Sequence, residues 1–231
     1  MRIAGLVKTS LIDYPGKVAA CLFTQGCDLD CFYCHNRRLI PVADGTVPDQ
    51  VLHDFLMRRK GLLDAIVITG GEPSIHPDLA DFILSLKRLD YLVKLDTNGQ
   101  HPEVIQYLTE RQLLDYVAVD YKAPASRYQE IGGKEADARK VIRTIQVLSA
   151  GKIDYQVRTT VLPQLHKEDL LTMAAELPEL PLWVLNPYQI PEIYRQQDEG
   201  EIYKDPHTSW FINQIVSDLA LVQSKVISGK A

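Results

Sequence analysis

Six times along this chain a short apolar or β-rich run stops abruptly at glycine, proline, cysteine or charged residues, and a helical pattern follows. The runs cover residues 18–24 (VAACLFT), 65–69 (AIVIT), 91–95, 116–119, 155–161 and 182–185. Continuous apolar runs of four to eight residues suit strands covered on both faces. A helix start is expected at Thr46-Val47-Pro48-Asp49, with Val51, Leu52, Phe55 and Leu56 as its stripe. Leu79, Phe82, Ile83 and Leu86 mark a second helix, and Val104, Ile105 and Leu108 a third. Further helices are expected over about 136–149, 169–177 and 208–226. Strand and helix in alternation give an α/β fold with a parallel sheet and right-handed crossovers, either an open barrel or a doubly wound sheet.

Both architectures collect function at the C-terminal ends of their strands. The unusual residues fall there. The first run leads into the cysteines, the second into Gly70-Gly71-Glu72-Pro73, the third into Asp96-Thr97-Asn98-Gly99 and the fourth into Asp120-Tyr121-Lys122. The fifth carries Arg158 and the sixth ends at Asn186-Pro187-Tyr188. Gly70 and Gly71 allow backbone to approach a ligand closely, and Glu72 can hold an ammonium group; a tight turn with an exposed glutamate is the plainer reading. Asp96 suits ribose hydroxyls, or an Asx-turn beside Asn98-Gly99. Asp120 and Lys122 share a face if the strand reaches them, and otherwise form a solvated ion pair. Arg158 needs an anionic partner if buried, and fits the outer face of its strand equally well.

Three of the four cysteines lie within eight residues, as Cys27-x-x-x-Cys31-x-x-Cys34. Such a set can hold a metal or an iron–sulfur cluster with one position left open. Zinc held by the three thiolates and His35 is an alternative, although two adjacent ligands strain a tetrahedral site. Cys21, inside an apolar run, reads as a small buried hydrophobe. His53 and His76 lack partners at ligand spacing.

The cysteine loop, with Tyr33 just before its last cysteine, resembles the signature of the radical S-adenosylmethionine (SAM) superfamily. Gly70-Gly71-Glu72-Pro73 is similar to the motif that contacts the SAM amino group in that superfamily. Three further stretches, Phe23-Thr24-Gln25-Gly26-Cys27, Cys34-His35-Asn36 and Leu95-Asp96-Thr97-Asn98-Gly99, resemble the glycyl-radical-enzyme activases, as does the Asp120-x-Lys122 pair. The opening Lys8-Thr9-Ser10-Leu11-Ile12-Asp13-Tyr14-Pro15-Gly16 looks most like the activating proteins of anaerobic ribonucleoside-triphosphate reductase. The resemblance implies a partial, open six-stranded β/α barrel formed by one domain over residues 1–231, with a cluster loop at 26–36. It implies one [4Fe–4S] cluster on Cys27, Cys31 and Cys34, with SAM on the open iron. Tyr33, Gly70, Gly71, Glu72, Asp96, Asp120, Lys122 and Arg158 would then bind SAM. Reductive cleavage of SAM would yield a 5′-deoxyadenosyl radical that takes hydrogen from a glycine of a partner enzyme. A flavodoxin or ferredoxin-type reductant would supply the electron. A small-molecule enzyme similar to 7-carboxy-7-deazaguanine synthase and a non-enzymatic zinc adaptor are the competing readings.

Composition limits the partners further. A net charge of −5 without a long basic run gives no nucleic-acid footprint. No apolar run reaches the ~20 residues of a membrane span, and the N-terminal residues lack the order of a signal peptide. Clustered cysteines and no such signals point to the cytoplasm, where thiols stay reduced. Residues 188–204, rich in Tyr, Gln and Glu, are a candidate partner-facing loop or an ordinary solvated connection.

Overall fold

A computed structural model describes residues 1–229. Eight strands form one sheet: β1 (Ile3–Ser10), β2 (Ala19–Thr24), β3 (Ala65–Gly70), β4 (Leu92–Thr97), β5 (Tyr116–Asp120), β6 (Asp154–Val161), β7 (Trp183–Pro187) and β8 (Val226–Ser228). They lie side by side in chain order, and β1 and β8 form the two unjoined edges. The six expected strands are β2 to β7, all parallel. The sheet is therefore open, as expected, and has one additional strand at each edge.

Helices α1 (Asp49–Arg59), α2 (Leu79–Lys87), α3 (Pro102–Glu110), α5 (Ala138–Ala150) and α6 (Lys167–Glu176) make the crossovers. The short α4 (Tyr128–Gly132) precedes α5, and α7 (Glu199–Ile202) and α8 (Ser209–Leu219) follow β7. Their starts carry local signals. Pro102 opens α3, the Asp137 carboxylate accepts from Arg139 N at 2.9 Å, and Thr208 Oγ1 accepts from Phe211 N at 3.2 Å.

Side chains alternate across a strand, so the sheet has two unlike faces. One carries Leu22, Ile66, Ile68, Val93, Leu95, Val117, Val119, Val157, Trp183 and Leu185, all fully buried with the helices in one core. Each such side chain contributes roughly 1.5–3 kcal/mol of burial. The other face carries Thr69, Asp96, Asp120, Arg158 and Thr160 toward the strand ends, where they line a cavity. Arg158 is thus on the cavity face, not the outer face.

The last helix stops at Leu219, seven residues short of the expected end. The apolar pattern does continue, but Leu221 and Val222 are exposed. Gln223 is buried instead: its Oε1 accepts from Leu180 N at 3.0 Å, and its Nε2 donates to the carbonyls of Ala174 and Pro178 at 3.2 and 3.1 Å. Satisfying those buried backbone groups turns the chain into β8 beside β7. Among the described residues no helix is long and apolar enough to cross a membrane.

Candidate active site

Strand β2 runs directly into the cysteine loop, which lies against the end of β3. Gly71 N donates to Thr24 O at 2.9 Å and Glu72 N to Gly26 O at 2.8 Å. Gly26 N and Cys27 N donate to the carbonyls of Leu39 and Ile40 at 2.7 and 3.0 Å, closing the loop on itself. The glycines are a steric requirement of this approach. Gly70 has φ +108°, and a Cβ there would sit 2.5 Å from Thr24 N; a Cβ on Gly71 would sit 2.1 Å from Gly26 O. Gly71→Ala should therefore cost about 2 kcal/mol through forced backbone movement. Urea denaturation of the variant checks this, and an unchanged midpoint would contradict the packing described.

All eleven residues singled out from the sequence line one cavity: Cys27, Cys31, Tyr33, Cys34, Gly70, Gly71, Glu72, Asp96, Asp120, Lys122 and Arg158. Burial pushes the thiols up, Cys31 to about 11, so the metal-free loop carries protonated sulfur and metal binding would release protons. Cys21 stands apart, buried in β2 with its Sγ 3.1 Å from Asp13 Oδ2. His35, beside Cys34, is exposed at the cavity rim. Among the described residues no three His, Cys, Asp or Glu side chains converge as ligands of a single metal ion. An iron–sulfur cluster does not demand that convergence, because each thiolate binds its own iron. Three thiols around one cavity, with the fourth cysteine turned away, fit a cluster that keeps one iron open.

For Glu72 the structure rules out the plainer of the two sequence readings. It is not exposed on a turn: its Oε1 accepts from Ser74 N, Ser74 Oγ and Thr97 Oγ1 at 3.0, 2.5 and 2.8 Å, and its Oε2 from Asn98 N at 2.7 Å. This carboxylate ties the end of β3 to the end of β4. Burial pushes its pKa up, against the pull of the Asn98 and Ser74 bonds. Only Oε2 has acceptor capacity left for a ligand.

Across the ends of β4, β5 and β6 runs an alternating chain of charges. Lys94 Nζ lies 2.5 Å from Asp96 Oδ1, and Arg158 Nη1 lies 3.0 Å from Asp96 Oδ2. Arg158 Nε lies 2.9 Å from Asp120 Oδ1, and Lys122 Nζ lies 3.3 Å from Asp120 Oδ2. Burial would raise the Asp96 carboxyl, but Arg158 and Lys94 outweigh it and hold it below the usual range; Arg158 and Lys122 do the same for Asp120. Lys122 lies just past the end of β5; burial would lower its pKa, but the Asp120 carboxylate beside it helps hold it well above the usual range. Of the three cations in this chain, Arg158 and Lys122 line the cavity and are suited to an anionic group of a ligand.

Several participants escaped the sequence reading. Lys94 is 2% exposed, and its two-residue spacing from Asp96 within β4 was a usable signal. Asp28 and His101 carried none, being 73 residues apart, yet Asp28 Oδ2 lies 2.9 Å from His101 Nε2. The Asp28 bond raises the pKa of His101, while the His101 and Asn98 bonds lower that of Asp28 against burial. Asp30 faces the other way, pairing with Arg37 and with Arg195 Nη1 at 2.5 Å. Residues 188–204 are thereby joined to the cysteine loop.

Comparison with known proteins bears on the family and the fold. Residues 21–177 match the family model of the Radical SAM superfamily. A Methanocaldococcus jannaschii protein provisionally named as a glycyl-radical enzyme activating enzyme is 32% identical over 84% of this chain and 83% of its own length. A Thermoplasma volcanium protein provisionally named as a GTP 3',8-cyclase is 24% identical over 74% of this chain, which spans about half of it (54%). The structure of Streptococcus suis SuiB bound to S-adenosylmethionine shares the fold, with a TM-score of 0.68 at 13% identity over 90% of this chain and 49% of SuiB. That of TYW1 with a lysine-pyruvate adduct has a TM-score of 0.62 at 15% identity over 89% of this chain and 74% of TYW1.

Proposed function

The chain belongs to the radical SAM superfamily, and we propose that it installs a glycyl radical on a partner enzyme, anaerobic ribonucleoside-triphosphate reductase. The observation that carries this reading is the meeting of three loop thiols, a close-packed Gly-Gly turn and a charged strand edge at one cavity. The activase-like relative and the opening segment 8–16 support the glycyl radical branch.

A [4Fe–4S] cluster and SAM, when bound, supply one-electron cleavage of the sulfonium and the carbon radical that removes hydrogen from glycine. The protein's own residues hold and orient. Cys27, Cys31 and Cys34 would carry the cluster, and Tyr33 closes the loop beside them. The Gly70-Gly71 backbone and the free side of Glu72 Oε2 would receive the amino group of SAM. Arg158 and Lys122 offer positive charge for its carboxylate, and Asp96 and Asp120 offer acceptors for its hydroxyls. No side chain has to move a proton in the step itself. A flavodoxin or ferredoxin-type protein would deliver the electron.

Anaerobic reconstitution with iron and sulfide, then dithionite and SAM together with the reductase, tests the proposal. The expected result is 5′-deoxyadenosine on chromatography and a glycyl doublet by EPR. The relative named as a nucleotide cyclase gives the small-molecule reading a footing. Deoxyadenosine with no doublet on the reductase would favour that reading, and no deoxyadenosine from a cluster-loaded protein would overturn both.

A further inference from the structure

The middle of the cysteine loop has almost no backbone scaffold of its own. Residues 28–33 lie outside every strand and helix, and among the described residues Cys34 N to Cys31 O at 3.2 Å is the one backbone pair that reaches them. Side chains must then set where the loop sits. Leu29, Cys31, Phe32 and Tyr33 pack into the core, which fixes depth but not direction, since apolar packing is non-directional. Direction comes from polar anchors. On one side Asp30 pairs with Arg37 and the partly exposed Arg195, and Arg37 Nη1 also donates to Cys31 O at 3.0 Å, so this side holds the loop's outer edge.

Asp28 is anchored to the end of β4 and to the residue before α3. Its Oδ1 accepts from Asn98 Nδ2 at 2.8 Å and its Oδ2 meets His101 Nε2 at 2.9 Å. Asn98 is 6% exposed and holds three bonds at once: its backbone N–H donates to Glu72 at 2.7 Å, its Nδ2 to Asp28, and its Oδ1 accepts from Gln100 N at 3.0 Å. The far side of the imidazole is steadied by Glu103 at 3.5 Å. Glu72 N in turn donates to Gly26 O at 2.8 Å, next to Cys27. The cysteine loop, the Gly-Gly turn and the end of β4 are therefore closed into one ring of hydrogen bonds.

We propose that Asp28, clamped by Asn98 and His101, is a positioning residue that, at the opposite end of the loop from the Asn36 Nδ2 bond to Gly70 O (3.3 Å), sets the cysteine loop against the Gly70–Gly71 turn. The clamp joins the loop that would hold the cluster to the turn that would hold SAM, so it fixes the distance between the two groups. It rests on the reading of that loop as the cluster loop, but its geometry exists in the metal-free chain and is testable there.

The test is iodoacetamide alkylation of the full-length, reduced, cluster-free protein, followed peptide by peptide by mass spectrometry. Cys21, buried in β2, serves as the internal reference for global unfolding. In Asp28→Ala and His101→Ala, alkylation of Cys27 and Cys31 should rise at least fivefold relative to Cys21. Asp28→Asn, which can still accept from Asn98 and donate to a neutral imidazole, should restore most of the protection. In the reconstituted protein the same order of variants should appear in the rate of iron loss to a chelator. A rise below fivefold in both alanine variants, a parallel rise at Cys21, or no restoration by asparagine would overturn the proposal. None of these readouts uses SAM or a partner, so its failure is distinct from failure of the proposed function.

Discussion

A Cys31→Ala protein is expected to fold, to take up no stable cluster and to produce no detectable 5′-deoxyadenosine. The stability cost is small because only one sulfur atom leaves a site 8% exposed, where its neighbour is the Gly132 carbonyl at 3.6 Å. About 1 kcal/mol covers the lost contacts and the remaining gap. Cys31 does belong to the main apolar core, alongside Leu29, Phe32 and Tyr33, so the loop is not wholly separate from the fold's stability. The chemical cost is total, because two thiolates cannot replace three, and Cys21 is turned to Asp13 within β2. Iron and sulfide content, visible absorbance and chromatography of the SAM products provide the check. Undiminished SAM cleavage by the variant would remove the cysteine loop from the mechanism.

Features set by local pattern were legible in the sequence. Strands β2 to β7 announce themselves as apolar or β-rich runs because both of their ends are punctuated by glycine, proline or charge; the residues at the ends of β2 to β6 meet at one cavity, whereas Asn186-Pro187-Tyr188 at the end of β7 do not line it. Strand β1 did not, because Ile3–Ser10 contains Gly5 and Lys8 and is held by antiparallel pairing with β2, a property of the partner. Strand β8 has three residues and depends on Gln223 to bring the chain beside β7. The site shows the same division. Cysteine spacing and the Gly-Gly turn are local, whereas the pairing of Asp28 with His101 and of Arg158 with Asp96 exists only after the strand ends are assembled. Lys94 lies between these cases: its position in β4 was readable, but its near-complete burial depends on Asp96.

Arg158→Ala should be the most destabilising single change at the strand edge, by about 3 kcal/mol, because it leaves the Asp96 carboxylate without one of its two cations in a site 11% exposed. Asp120, about a third exposed, adds less since water can replace part of its lost partner. For a chain of this length the loss corresponds to roughly 6–12 °C in Tm. The pH dependence separates this ion-pair effect from lost packing. In the folded protein Asp96 is held below the usual carboxylate range, whereas in the unfolded chain it titrates near ~3.9. A depressed folded pKa contributes stability above the unfolded value, which is lost as pH falls toward the folded one. The wild-type advantage over Arg158→Ala should therefore be full at pH 7 and narrow below about pH 4 as Asp96 takes up its proton. Arg158→Lys keeps one charge but cannot span Asp96 and Asp120 with separate nitrogens, so its loss should be intermediate. Urea denaturation of the three proteins at pH 7 and pH 3 decides the matter. A stability gap of equal size at both pH values would assign the effect to packing, and no gap at pH 7 would remove the charge chain from the account of this fold.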